Sequence, residues 1–421
     1  MTLYHNSKQK LRNVDRTIGA LLDGDFPLSS GKKALEKLRG LFAGLGKKLD
    51  RAYALKDAAS EKQIASLINV KVYETLPILG FILRSTNVRN AFEVLDPLQV
   101  VADSILQGRP QLLLSSEWDY VPFAYPQSLE DLRSFVLIGL PATEAASALL
   151  LPLAGHELGH AVWRNRGIGG GAHATLQFRC ENSYKSQMEE FKKYFPEYDP
   201  DDLVYKELLP EAIGLSVEYA VFQAEELFCD MFSYAIFGAS YLHAFAYILA
   251  PGFGRMPGSR YPSHKTRISV LASIASKEGA KLPAIGSLSF SDETPRGNPR
   301  ERFVLRVAEE NVQEVIGGLW DRVLALLNEG KVLRPSEKMS EKHSEQFKLG
   351  IPAHEPRCLG DIVNAGWTCY SRMQSYVSED ENERDKEQDN LYENVDALNE
   401  ILLKTIEVLE FNNRTGNGPQ R

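Results

Sequence analysis

The sequence predicts a mainly helical α+β protein: a metal-binding core with a small sheet, flanked by N- and C-terminal helical regions. Three observations carry this. His156-Glu157-Leu158-Gly159-His160 lies inside an apolar stretch of helical character, a second long apolar helical stretch covers about 211–237, and two short apolar runs upstream of the motif read as strands. The implied organisation is an N-terminal helical region over 1–110, the core over 111–280, a C-terminal helical region over 281–377, and an acidic linker with a terminal helix over 378–421.

In the N-terminal region, charged and apolar residues alternate over 32–55 and 61–83, which predicts packed amphipathic helices interrupted at Pro77 and Pro97. The basic cluster Lys32, Lys33, Lys37, Arg39, Lys47, Lys48 and Arg51 reads as the solvated face of those helices rather than a site for an acidic partner. Gly40-Leu41-Phe42-Ala43-Gly44-Leu45-Gly46-Lys47-Lys48 has the look of a phosphate loop, but its spacing is one residue too long and no Ser or Thr follows the lysine. Nucleotide binding is not expected there.

The core opens with two strand candidates, 112–121 and 134–140, the second closed by Pro141. An extended substrate can borrow main-chain hydrogen bonds from such a strand edge. Pro152, four residues before His156, either kinks a long helix or starts a new one. Two histidines four apart on a helix point the same way and can share one metal ion, and burial in an apolar helix makes them expensive unless they are so used.

A catalytic zinc site needs a third protein ligand and an open position for water. Glu226, within the second helical stretch, is favoured, because Asp230 four residues on lies on the same face and can accept the second ring N–H of a ligating histidine. Glu225 is the rival ligand, but its neighbour at that spacing is Cys229, a poorer acceptor. With His156, His160 and Glu226 on Zn²⁺ and water in the fourth place, the metal would lower the water's pKa to about 7, and Glu157 would act as general base. A donor to the oxyanion is also needed, for which Tyr261, His264, Arg267 and Tyr234 are candidates.

The pattern His156-Glu157-x-x-His160 followed by Glu226-x-x-x-Asp230 resembles the gluzincin metallopeptidases, the group that includes thermolysin and the membrane-bound prenyl-protein and heat-shock proteases. The segment Tyr261-Pro262-Ser263-His264-Lys265-Thr266-Arg267-Ile268 is similar to one that follows the third ligand in the membrane-bound members, without its proline after the histidine and with a shorter His-to-Arg spacing. The resemblance covers about 135–270 and implies a zincin-like core and zinc-dependent cleavage of a protein or peptide substrate.

After the motif, the glycine run 167–171 opens a polar, aromatic-rich insertion reaching about Pro210. It reads either as a lid over the cleft, carried by Phe191, Tyr194, Phe195 and Tyr198, or as an ordinary connector. His173 within it reads as a surface histidine. Further on, 303–327 is amphipathic, 359–376 packs on the core, and 378–383 begins an acidic, mobile linker. Leu391, Val395, Leu398, Leu402 and Leu409 then mark a terminal helix ending near Asn412, which docks on its own body or pairs with a protein partner.

A net charge of −8 argues against nucleic acid as a partner, and the longest apolar windows fall short of the ~20 residues that a membrane span needs. Four scattered cysteines and a polar start without a signal peptide fit a reducing cytoplasm. Two classes of function follow. One is a soluble zinc endopeptidase. The other is a scaffold or regulatory protein with a structural zinc core and helical arms that bind a partner, against which Glu157 argues, since a structural site needs no base.

Overall fold

The computed structural model describes residues 3–24, 29–82, 95–117, 123–124, 135–144, 146–249, 261–280, 298–375 and 381–415. It is mainly helical. The N-terminal region contains α1 (Leu3–Leu22), α2 (Ser29–Ala54), α3 (Ala58–Ile82) and α4 (Leu95–Ile105). The expected interruption at Pro77 does not occur: α3 runs through it, and burial of Leu76 and Leu79 with packing on α2 and α1 outweighs the one backbone hydrogen bond that a proline removes. Pro97 stands in the first turn of α4, where its missing N–H has no partner to lose.

Helix α1 is unusual in what it turns inward. Besides Tyr4, Leu11, Val14 and Ile18, its buried residues include Asn6, Gln9, Lys10 and Asn13. The Lys10 ammonium donates to Asn69 Oδ1 at 3.2 Å and to the Ile248 carbonyl at 3.3 Å, and Asn13 Nδ2 donates to Glu144 Oε2 at 2.6 Å. Burial pushes the Lys10 pKa down to about 7, against the opposing pull of the Glu144 charge.

Strands β1 (Gln111–Glu117), β2 (Phe123–Ala124) and β3 (Phe135–Pro141) pair in the order β1-β3-β2. β1 runs parallel to β3 with Leu112 opposite Val136, and β2 runs antiparallel with Phe123 opposite Gly139. The part of the first strand candidate beyond Glu117 lies outside the described residues. A 3₁₀ turn, Ala148–Leu150, leads into α5 (Leu151–Asn165), which starts afresh with Pro152 in its first turn and carries the His-Glu-x-x-His motif. Both β2 and β3 pack against α5.

Gly167, with φ of +64°, breaks the chain between α5 and α6 (Ile168–Ser186). After α7 (Met188–Tyr194) comes the longest core helix, α8 (Leu208–Phe237), which packs on α5 and α6. The chain continues through α9 (Ala239–Leu249), α10 (His264–Lys277), α11 (Pro299–Gln313), α12 (Ile316–Glu329), α13 (Glu337–Lys348), α14 (Leu359–Ser375) and α15 (Glu381–Thr415). The amphipathic stretch 303–327 is thus two helices, both packed on α8, with α6 as a further neighbour of α11 and α4 as a further neighbour of α12. No described helix is long and apolar enough to cross a membrane.

One hydrophobic cluster extends from Tyr4 to Leu409 and takes in all four stretches of the chain. The terminal helix contributes Val395, Leu398, Leu402, Ile406 and Leu409 to it and packs on α14, so this part of its apolar stripe docks on its own body; the Leu391 side chain lies outside the described residues. Glu381 to Glu383, expected in a mobile linker, form the first turn of α15. Residues 378–380 of that stretch lie outside the described residues.

The insertion after the motif forms two helices, α6 and α7, and the aromatic residues expected in a lid are packed into the body. The run Gly169 to Gly171 lies within the first turn of α6, and Phe191, Phe195 and Tyr184 join Phe303, Val304 and Val307 in a second buried cluster. Phe191 stacks on Phe195 with ring centroids 4.5 Å apart, and Tyr194 and Tyr198 pack at its edge. Aromatic residues held this way are structural.

Candidate metal centre

Helices α5 and α8 run antiparallel and unusually close. A Cβ on Gly155 would sit 2.6 Å from the Phe237 ring, and one on Gly159 would sit 2.9 Å from Cys229 Cα. Only glycine fits at Gly159 without moving backbone. Ser233 Oγ donates to the Pro152 carbonyl at 2.6 Å and fastens the start of α5 to α8. The two glycines flank His156 and His160, so the close approach brings both imidazoles onto the face of α8 that bears Glu226 and Asp230.

The Glu226 carboxylate faces both rings. Its Oε2 lies 3.5 Å from His156 Nε2, and its Oε1 lies 3.6 Å from His160 Nε2. Ligand atoms about 2.0–2.1 Å from a tetrahedral zinc are separated by roughly 3.3 Å, so these spacings suit a shared ion better than direct hydrogen bonds. His156, His160 and Cys229 also have donor atoms within 4.8 Å of one another. Cys229, however, packs against α5 at Gly159, and burial followed by the surrounding carboxylates holds its thiol well above its ordinary pKa. Glu226, addressing both Nε2 atoms, is the better third donor.

Each histidine is oriented from behind by its own carboxylate. His156 Nδ1 lies 3.0 Å from Asp230 Oδ1, and His160 Nδ1 lies 2.8 Å from Glu225 Oε1. An N–H given to a carboxylate at Nδ1 leaves the Nε2 lone pair for a metal. Asp230, fully buried, also accepts from Arg267 through Nε at 2.7 Å and Nη2 at 2.5 Å, and from the Tyr241 hydroxyl at 2.5 Å. Burial alone would raise the Asp230 pKa; the Arg267 charge overrides it and drives the pKa far below the usual carboxylate range. Likewise burial opposes protonation of His156, but the Asp230 and Glu226 carboxylates facing its ring prevail and push its pKa up to about 10.

Glu157 is buried on α5, close enough for its charge to raise the proton affinity of His156. Among the candidate oxyanion donors, Arg267 lies with Nη2 3.7 Å from Glu226 Oε2, but its guanidinium is committed to Asp230. His264 stands one turn earlier on α10 and packs edge-on against Phe245, whose ring also carries Arg267. Tyr261 is half-buried just before that helix. Tyr234 belongs to the core, its ring against Trp320 of α12, and burial raises its pKa to about 12. His173 is exposed on α6.

Tyr241 and the position of Glu225 behind His160 escaped sequence reasoning. The signal for Glu225 is antiparallel packing: if Glu226 faces two histidines four apart, the carboxylates behind them must flank it on both sides along α8. Tyr241 comes from the next helix, after a glycine break with φ of +61° at Gly238, and has no local signal. Comparison with known protein families, curated proteins and solved structures finds no match to this chain.

Proposed function

We propose that the protein is a zinc-dependent endopeptidase of gluzincin type with a zincin-like core over α5, α8 and the sheet. The observation that carries this reading is the facing of Glu226 toward Nε2 of both histidines while separate carboxylates hold each Nδ1. His156, His160 and Glu226 would hold the metal, and zinc, when bound there, would supply Lewis acidity to the scissile carbonyl and to the attacking water. Glu157 takes that water's proton and passes it to the leaving amine. Asp230, with Arg267 and Tyr241 on it, keeps His156 in the ligating tautomer. Tyr261 and His264, at the start of α10, are the residues that would donate to the oxyanion. The edge strand β2, packed on α5, is where an extended substrate would add its main chain.

The reading is tested by zinc analysis and a peptidase assay on Glu157→Gln, which should keep about one zinc per chain and lose hydrolysis. Full turnover in that variant overturns it. A second reading rests on Cys229: if it joined His156, His160 and Glu226, the shell would close with four protein ligands and be structural. Cys229→Ala retains zinc in the peptidase reading and loses it in the structural one.

A further inference from the structure

An open groove of about 700 Å³ lies between α6 and the first half of α8. Its floor is apolar, formed by Tyr184, Met188, Leu209, Ile213, Val217 and Val221. The volume falls in the range of sites that take a ligand rather than a few waters. Along α8 the groove extends from Leu209 to Phe222, roughly 20 Å at 1.5 Å per residue, enough for about six residues of extended chain. In the segment before α8, Leu203 and Val204 are 79% and 73% exposed. Phe178, on α6, is 67% exposed. Exposed apolar side chains on the elements that lead into an apolar groove favour an interaction surface.

The rim has a sign. Glu181 of α6 and Glu218 of α8 line the groove, Glu211 is exposed on the first turn of α8, and Lys185 is the one lysine of the lining. Among the described residues no ion pair engages these three glutamates, and Glu181 accepts only a hydrogen bond from Gln177. An acidic rim over an apolar floor repels anionic lipid and suits a peptide that carries apolar side chains together with Lys or Arg. The groove also leads toward the metal centre. The line Ile213, Val217, Val221 continues at the same four-residue step onto Glu225, which holds His160. From Val217 to Glu226 is about 13 Å along the helix.

We infer that this groove docks an apolar, basic segment of the polypeptide substrate, outside the residues that perform hydrolysis. The word substrate rests on the peptidase reading; the docking itself does not. Binding energy gathered there raises the effective concentration of an attached scissile segment at the centre. This would give the enzyme a preference for long unfolded chains over short peptides.

The test measures binding on the full chain bearing Glu157→Gln, by fluorescence anisotropy, with a labelled twelve-residue Leu/Lys peptide and its Leu/Glu counterpart. The Leu/Lys peptide should bind at least tenfold more tightly. Glu181→Lys with Glu218→Lys should weaken it tenfold or more while leaving helicity, zinc content and turnover of a tetrapeptide unchanged in the chain that keeps Glu157. Equal binding of the two peptides, or affinity untouched by the double charge reversal, overturns the proposal. So does tighter binding to vesicles of anionic lipid than to the Leu/Lys peptide. If the peptide binds as expected but Glu157→Gln still hydrolyses peptides at full rate, docking stands and the peptidase reading falls.

Discussion

Replacing Gly159 by alanine adds one methyl group where α5 and α8 touch, and the consequence can be worked out from distances. The new Cβ would lie 2.9 Å from Cys229 Cα and 3.1 Å from its Cβ and Sγ. Carbon atoms rest at about 3.5–4.0 Å, so the helices must separate by roughly 0.6 Å or more. Metal sites tolerate departures of only about 0.2 Å in ligand distance. His156 and His160 ride on one helix and Glu226 on the other, so the separation opens the ligand set directly. Overpacking costs about 1–3 kcal/mol, partly offset by about 1 kcal/mol of helix propensity gained over glycine. The variant should therefore remain folded, with a modest loss in urea denaturation, while zinc affinity measured against a competing chelator falls at least tenfold. Gly170→Ala is the control, since nothing lies within 4 Å of its added methyl group; it should change neither property for the worse. Unchanged zinc affinity in Gly159→Ala would refute the idea that close helix approach sets the ligand geometry.

Three further outcomes are expected. Glu226→Ala should abolish stoichiometric zinc, whereas Glu225→Ala, which frees His160 Nδ1, should weaken it by about 10–100-fold; the reverse order in metal analysis would move the third ligand by one residue. Arg267→Met leaves buried Asp230 without its cation and should cost about 3–5 kcal/mol in urea denaturation, and adding Asp230→Asn should recover part of it, whereas equal losses would show that the ion pair is not what matters. Lys10 loses its proton at about 7 when folded but, with an ordinary value of 10.5, keeps it when unfolded, so across that window the unfolded chain binds more protons and stability rises with pH. The difference between the stability curves of the wild type and Lys10→Met should climb between pH 7 and 10, by up to about 1.4 kcal/mol per unit, and parallel curves would show that Lys10 is not held neutral by burial.

The parts of the centre visible in the sequence were those in which helix periodicity and chemistry coincide. His156, His160, Glu226 and Asp230 sit on two apolar helices at a four-residue step, and α8 begins three residues from where its pattern predicts. Arg267 and Tyr241 reach Asp230 from separate helices, so their meeting depends on how α9 and α10 pack, which no spacing encodes. The same tertiary override explains Pro77 inside α3 and the burial of Phe191 and Phe195, whose partners Phe303 and Val304 lie more than a hundred residues away. The two-residue strand β2 is too short to leave a pattern at all.

The inward polar face of α1 also sets an order of assembly. Lys10 must wait for the Ile248 carbonyl, 238 residues later, and Arg12 for Asp396, 384 residues later. At about 5–20 residues per second of synthesis, those partners emerge roughly 12–50 s and 20–80 s after the helix itself. Until then α1 can rest only on α2 and α3, where Asn69 offers Lys10 one acceptor, with several amides turned toward water. Helix α1 is thus fastened long after it is made, and its seating reports that the metal-bearing helices and the terminal helix have already arrived.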